Sequence, residues 1–80
     1  MQEHENLLKD FGKRVRQLRQ GSGISQEEFA ARCDLDRTYI SSLERGHRNV
    51  SLKNIAAIAS ALNVTLAGLF EGIAIDDRPK

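Results

Sequence analysis

The sequence predicts a small all-α domain built from five short helices. Eighty residues suffice for one domain and leave no room for a second. Apolar residues recur at helical spacing along the first segment, and residues that cap helices precede the later apolar segments. No segment shows the apolar–polar alternation of a half-buried strand. The chain therefore reads as a compact five-helix fold.

The first helix is predicted from a stripe of apolar residues that ends at two glycines. On an ideal helix this stripe covers an arc of about 100°. Its members are Leu7, Leu8, Phe11, Val15 and Leu18. The segment Gly21-Ser22-Gly23 ends the helix, because glycine readily adopts the left-handed conformation common at helix C-termini.

Four further helices are predicted from their N-terminal caps. Ser25 and Glu28 read as a capping box for the second helix, and Asp36 as the cap of a third helix from Arg37 to about Arg45. Ser51 and Thr65 cap the fourth and fifth helices. We expect one domain over residues 1–72, followed by a C-terminal tail over 73–80.

Composition excludes several classes of protein. No apolar run approaches the ~18 residues of a membrane span, so no membrane association is expected. A single cysteine cannot form an internal disulfide, which favours the reducing cytoplasm. Eighty residues can scarcely enclose a deep substrate cleft, which argues against an enzyme. Cys33 reads as a small core residue, and His4 and His47 lack partners at metal-ligand spacing, so we expect neither metal nor cofactor.

The positive charge is concentrated in the middle of the chain. Residues 11–53 hold nine Lys or Arg against five acids, whereas the whole chain carries only +1. Such asymmetry indicates an anionic partner that meets one face, although a solvated charged surface would give the same count.

The segment 26–45 reads as a helix-turn-helix, the pair of helices that many proteins use to bind DNA. Ile40 and Leu43 of the predicted third helix face inward. They meet residues of the predicted second helix and the turn: Phe29, Ala30, Cys33 and Leu35. Asp34 stands where the turn needs a left-handed residue, which Asp tolerates better than most. A purely structural helix corner is the alternative.

These residues carry a resemblance to a known family. Gln26, Ala30, Ile40, Leu43 and the run Asp-Arg-Thr-Tyr-Ile-Ser-Ser-Leu-Glu-Arg-Gly at 36–46 resemble the Cro/repressor-type, or Xre, transcriptional regulators. Residues 11–70 follow that family's five-helix plan, and segment 36–52 is most similar to the controller proteins of restriction–modification systems. Asp34 departs from the family, which usually has Gly there.

The resemblance implies that the third helix enters the major groove of DNA, and its residues suit that role. Its outward face carries Arg37, Thr38, Ser41 and Ser42, which we assign to base edges. Arg can bind guanine O6 and N7 together, and Ser or Thr can donate or accept. The alternatives are solvent exposure for the hydroxyls and a salt bridge for Arg37.

Contacts to phosphates should surround that face, because they set the register and supply much of the affinity. The resemblance assigns this role to Gln26, at the start of the second helix, and to the loop after the third helix. The predicted phosphate contacts are Gln26, Tyr39, Arg45, Arg48, Asn49 and Ser51. For Tyr39, half-buried packing is an equally good interpretation.

Two further groups of residues have predicted structural roles. Arg19 and Glu44 stand where related repressors join the first and third helices by a partly buried ion pair. The C-terminal apolar residues predict a two-fold dimer interface, or else completion of the monomer core. They are Leu66, Leu69, Phe70, Ile73 and Ile75. A dimer would hold its two recognition helices, the third helix of each copy, about 34–36 Å apart, which is one turn of DNA.

The predicted function is a dimeric, sequence-specific transcription regulator that binds a near-palindromic operator. The expected partners are double-stranded DNA, a second copy of the chain and, for activation, RNA polymerase. Similarity to controller proteins implies tandem operators, with activation at low occupancy and self-repression at high occupancy. The alternative is an antitoxin or another interaction module that acts through the apolar C-terminal face.

Overall fold

The structure is a computed structural model that describes residues 2–74, with side chains from Asn6 onward. Within that range the chain forms five α-helices and no strand, which confirms the predicted fold class. The helices are α1 (Gln2–Gly21), α2 (Gln26–Cys33), α3 (Arg37–Glu44), α4 (Leu52–Ala61) and α5 (Leu66–Leu69). None of the described helices is long and apolar enough to cross a membrane.

The core lies where all five helices meet. Fully buried side chains come from every helix: Val15 from α1, Phe29 from α2, Ile40 and Leu43 from α3, Ile58 from α4 and Leu69 from α5. The apolar stripe of α1 faces this core, with Phe11 and Val15 buried and Leu7, Leu8 and Leu18 half-buried. Ile73 also packs against the core, so packing continues past the predicted domain end at residue 72.

Three of the four predicted N-caps form their hydrogen bond. The hydroxyls of Ser25, Ser51 and Thr65 accept from the backbone N–H three residues later, at 3.0, 3.1 and 2.9 Å. Asp36 has the extended backbone of an N-cap, but its side chain makes no capping bond. The capping box at α2 is only half present, because the Glu28 carboxylate accepts from Arg32 at 2.7 Å, four residues along the helix.

Helix α1 approaches the C-terminal end of α3 closely because Gly12 has no side chain. A Cβ at position 12 would collide with the carbonyl oxygen of Leu43 and lie 2.7 Å from that of Glu44. Gly46 allows a second close approach, because its Cβ would lie 2.7 Å from the Cα of Lys9. Lys9 lies about one turn before Gly12 on α1. Two glycines thus set the crossing of α1 over α3.

Candidate nucleic-acid interface

Helices α2 and α3 are joined by a turn that begins with a left-handed residue. Asp34 has φ 58° and ψ 44° and ends α2, and its N–H points back to the carbonyls of Ala30 and Ala31. Leu35 N–H donates to the Ala30 carbonyl at 2.9 Å and continues the turn. Asp34 therefore adopts the left-handed conformation predicted for this position.

The predicted inward residues hold the two helices together. Phe29, Ala30 and Cys33 of α2 are buried, as are Ile40 and Leu43 of α3. Ala30 matters because its small side chain allows α3 to lie close to α2. Leu35 of the turn is half-buried against the same cluster. The angle at which α3 is presented is thus fixed by packing.

The opposite face of α3 is polar and open. Arg37, Thr38, Ser41 and Ser42 fall within about 140° of the helix circumference, with both serines half-buried and the other two exposed. Among the described residues Arg37 forms no ion pair, so its guanidinium is not occupied by an acid of the α2–α3 unit. This surface, which we call the α3 face, presents hydroxyls beside one free arginine.

An ion pair fixes the end of α3 to α1. Arg19 Nε and Nη2 donate to the two carboxylate oxygens of Glu44, at 2.6 and 3.1 Å. The side chains are only 11% and 2% exposed. Arg19 Nη1 also donates to the Ile24 carbonyl at 2.9 Å, in the α1–α2 loop. The pair predicted for Arg19 and Glu44 therefore joins α1, the loop and α3.

Gln26 belongs to the same network. Its Nε2 donates to Glu44 Oε1 at 3.0 Å. A primary amide has two N–H groups, so this bond leaves one N–H and the carbonyl oxygen for other partners. Glu44 thereby orients the residue predicted to bind a phosphate at the start of α2. The sequence did not indicate this contact.

The loop after α3 gathers several predicted phosphate contacts around Tyr39. The Arg48 guanidinium lies 4.8 Å from the centre of the Tyr39 ring, a cation–π contact. The Tyr39 hydroxyl accepts a hydrogen bond from Asn54 Nδ2 at 3.1 Å. Ser51, the cap of α4, accepts from the backbone of the same Asn54. Asn54 had no role in the sequence analysis, and only its position three residues after the Ser51 cap could have indicated one.

Arg45 and Asn49 are both exposed on either side of Gly46. Arg45 ends α3, and its Nε donates to the Ser41 carbonyl at 3.3 Å. Gly46 has φ 79° and donates to the Leu43 carbonyl, while His47 N–H donates to that of Ser42. This left-handed end of α3 turns the chain toward the loop that carries Asn49.

The C-terminal apolar residues do not all face outward. Leu69 is 0% exposed and completes the monomer core, because α5 packs this side chain inward; its assignment to a dimer interface is wrong. Leu66 and Phe70 are 45% and 38% exposed. Ile73 is half-buried, and Ile75 lies outside the described residues. Phe70 also stacks on Phe11, with ring centres 5.4 Å apart, so it serves the monomer as well.

An apolar groove of about 130 Å³ runs beside these residues, with Phe70 in its wall. The other lining residues are Leu7, Leu8, Phe11, Asn49, Val50 and Ile55. Leu52, three residues before Ile55 on α4, is 73% exposed. Residues three apart lie on neighbouring parts of a helix surface, so Leu52 extends this apolar region. We call Leu52, Leu66, Phe70 and the groove the apolar face.

Outside these surfaces the described residues show little further chemistry. Cys33 is buried, and desolvation raises the pKa of its thiol from 9.0 to about 11. No group of three His, Cys, Asp or Glu side chains within the described range could hold a metal ion. Arg14 donates to the Gly68 carbonyl at 2.9 Å and fastens α1 to α5.

Comparison with known proteins agrees with this geometry. Residues 15–69 match the helix-turn-helix family known as HTH_3. The chain belongs to this Xre-type family of DNA-binding regulators. It is 52% identical over 64 residues to the control protein C.MunI from a Mycoplasma species, covering 79% of this chain and 86% of that protein. It is 60% identical over 60 residues to the control protein C.BamHI from Bacillus amyloliquefaciens, covering 74% of each.

Solved structures give the same result. The restriction–modification controller protein C.AhdI from Aeromonas hydrophila superposes with a TM-score of 0.82 at 47% identity, covering 85% of this chain and 99% of that one. The hypothetical transcription factor NHTF from Neisseria superposes with a TM-score of 0.77 at 37% identity, covering 91% and 80%. The predicted resemblance to Xre-type regulators and to controller proteins is confirmed.

Proposed function

We propose that this protein is a sequence-specific transcription regulator of the restriction–modification controller type, which binds a near-palindromic DNA operator as a dimer. The observation that carries the proposal is the α3 face, an open row of hydroxyls beside Arg37, on a helix fixed by a buried ion pair. Arg37 forms no ion pair with any described residue. It acts without enzymatic activity and in the cytoplasm, where its DNA lies. RNA polymerase is its further partner during activation.

The α3 face reads bases in the major groove. Arg37, at the first position of α3, binds a guanine through O6 and N7, because its guanidinium is exposed and free of ion pairs within the described range. Thr38, Ser41 and Ser42 contact neighbouring base edges or thymine methyl groups. Ser41 and Ser42 are half-buried, which limits their rotamers and favours defined contacts over loose ones.

Phosphate contacts flank the α3 face on both sides. Gln26 approaches one strand from the start of α2, with its amide oriented by Glu44. Tyr39, Arg45, Arg48, Asn49 and Ser51 approach the backbone from the α3–α4 side. Four of these six side chains are exposed, and the other two, Gln26 and Tyr39, are half-buried. Such contacts set the register of α3 and give binding its salt dependence.

The apolar face supports a two-fold dimer. Leu66 begins α5 and Phe70 is the residue that ends it, four positions later, and both are exposed. Phe70 and Ile55 line the same groove. Leu52 adds the most exposed large apolar side chain of the described chain. A self-complementary patch of this kind suits two-fold symmetry. We therefore assign Leu52, Leu66, Phe70 and Ile73 to the interface, with Ile75 retained from the sequence prediction.

The similarity to control proteins supports regulation of the protein's own promoter. We propose that the dimer occupies tandem operators at its own promoter, activates at low occupancy and represses at high occupancy. The relatives are named as control proteins and transcriptional regulators, which favours this role over that of an antitoxin or an interaction module.

Selection of bound sites from random double-stranded DNA tests the proposal. We expect enrichment of two inverted half-sites whose centres lie about 10 base pairs apart, at least one of them containing a G·C pair opposite Arg37. Selection with an Arg37→Ala, Ser42→Ala variant is the control and should lose that enrichment. Recovery of no common sequence by the wild type would contradict sequence-specific binding.

A further inference from the structure

Asn54 touches two of the hydroxyls predicted to bind phosphate. It stands at the third position of α4 and is half-buried. Its backbone N–H donates to Ser51 Oγ, and its side-chain Nδ2 donates to Tyr39 Oη, both at 3.1 Å. One residue thus bridges the start of α4 and the middle of α3.

These two bonds fix what each hydroxyl can still do. A hydroxyl carries one proton and two acceptor lone pairs. Since both hydroxyls accept from Asn54, their own protons are available for another acceptor. Within the described residues neither hydroxyl donates a hydrogen bond. Asn54 therefore leaves Tyr39 and Ser51 as donors.

The charged groups around Tyr39 indicate which kind of acceptor its hydroxyl would bind. The Arg48 guanidinium lies over the Tyr39 ring and forms no ion pair within the described range. Asp34 and Asp36 line a cleft on another side of Tyr39, and neither is hydrogen bonded to its hydroxyl. Arg48 covers the ring that carries the Tyr39 hydroxyl, and Asn54 links that hydroxyl to Ser51. Hydroxyl donors and a guanidinium together match an anionic oxygen.

We infer that Asn54 is a positioning residue that directs the Tyr39 and Ser51 hydroxyl protons toward one stretch of DNA phosphates, alongside Arg48. The inference rests on the proposed function, because it requires that DNA lie against this loop. Asn54 itself does not touch the DNA. It acts by occupying one lone pair on each hydroxyl.

A double-mutant cycle between Tyr39 and Asn54 tests this inference. Tyr39→Phe should weaken binding to the selected operator about tenfold, since it removes a donor to a charged acceptor. Asn54→Leu, which keeps the backbone bond to Ser51 but loses the amide, should cause a comparable loss. The double variant should bind the operator about as tightly as the single variant of lower affinity, because both changes remove the same contact.

Two results would overturn the inference in distinguishable ways. If Tyr39→Phe weakens binding and Asn54→Leu does not, Tyr39 contacts DNA without help from Asn54. If Tyr39→Phe binds like the wild type, the phosphate contact itself is absent, while operator binding by the wild type would still uphold the proposed function. Thermal unfolding of each variant shows whether a loss of binding reflects loss of the fold.

The free protein provides a second readout that does not depend on DNA. Tyr39 is the single tyrosine and the chain has no tryptophan, so its emission reports on this hydroxyl alone. In Asn54→Asp the introduced carboxylate accepts the Tyr39 proton instead of donating, which should quench tyrosine emission relative to Asn54→Leu. The same variant should bind DNA more weakly than Asn54→Leu. Equal emission from the two variants would contradict the contact between position 54 and the Tyr39 hydroxyl on which the inference depends.

Discussion

Glu44 is the residue on which the position of α3 depends most. Its carboxylate is almost fully buried and accepts from both Arg19 and Gln26. A buried charge is stabilising only while its partners remain, since removal of one partner leaves the other without solvation. Resemblance indicated the pair with Arg19. It gave no indication of the bond to Gln26, because the rotamer of a glutamine depends on its neighbours in space.

Loss of one partner of this pair should destabilise the fold. Arg19→Met should lower the free energy of unfolding by about 3 kcal/mol, because the Glu44 carboxylate would stay buried with only Gln26. Replacement of both residues, as Arg19→Met with Glu44→Leu, should recover much of the loss. Denaturant unfolding of the wild type, Arg19→Met, Glu44→Leu and the double variant measures the coupling. Additive losses would show that the two residues do not stabilise each other.

Cys33 should make stability depend on pH in the alkaline range. Burial raises the pKa of its thiol from 9.0 to about 11, so the folded chain holds the proton more tightly than the unfolded chain. This contribution is complete below pH 9.0 and is lost as pH rises toward 11. Between pH 8 and about pH 10.5 the free energy of unfolding of the wild type should therefore fall relative to that of Cys33→Ala. An unchanged difference in denaturant unfolding would contradict burial of the thiol.

At the scale of the elements, the approach of α1 to α3 depends on Gly12. Hydropathy and capping patterns predicted all five helices and most of their ends, since those signals are local. They gave no sign that Gly12 contacts the backbone of α3, because that contact joins residues about thirty positions apart. Asp36 and Glu28 also fit local rules that the folded chain does not use.

Gly12→Ala should separate α1 from α3. The new Cβ would meet backbone carbonyls, which cannot turn aside as a flexible side chain can, so we expect a loss of about 1–3 kcal/mol in the free energy of unfolding. Gly21→Ala is the matched control on the same helix, because a Cβ there meets nothing within 4 Å. It should be neutral or slightly stabilising, since Ala favours helix. Thermal unfolding that ranks the two variants equally would contradict the close crossing.

For the molecule as a whole, the proposed dimer would use the apolar face to hold two copies of α3 together. The sequence identified the C-terminal apolar residues, but it could not separate Leu69, which completes the core, from Leu66, which faces outward. It also gave no indication that Leu52 is exposed, since in the sequence an apolar residue in the first turn of a helix cannot be told from a core residue. Exposure of single side chains depends on how α4 and α5 pack, and that packing is not local.

Leu66→Asp should give a folded monomer. A charge placed in an apolar interface has no partner there, whereas in the monomer this position is open to solvent. Leu66 is a better test than Phe70, because Phe70 stacks on Phe11 and its loss would also weaken the monomer. Ser60→Asp adds the same charge at an exposed position of α4 and should remain dimeric. Sedimentation that finds Leu66→Asp as dimeric as Ser60→Asp would contradict this interface.

The central claim, that α3 reads DNA sequence, is tested most directly by the affinities of three arginine variants for selected operator and for random DNA. Arg37→Ala should lose about 1–3 kcal/mol on the operator and little on random DNA, since it removes a base contact. Arg48→Ala should weaken both DNAs alike and reduce the salt dependence by about one contact. Arg32→Ala, which loses only a surface pair with Glu28 on α2, should leave both unchanged. Equal losses on operator and random DNA for Arg37→Ala would contradict the account.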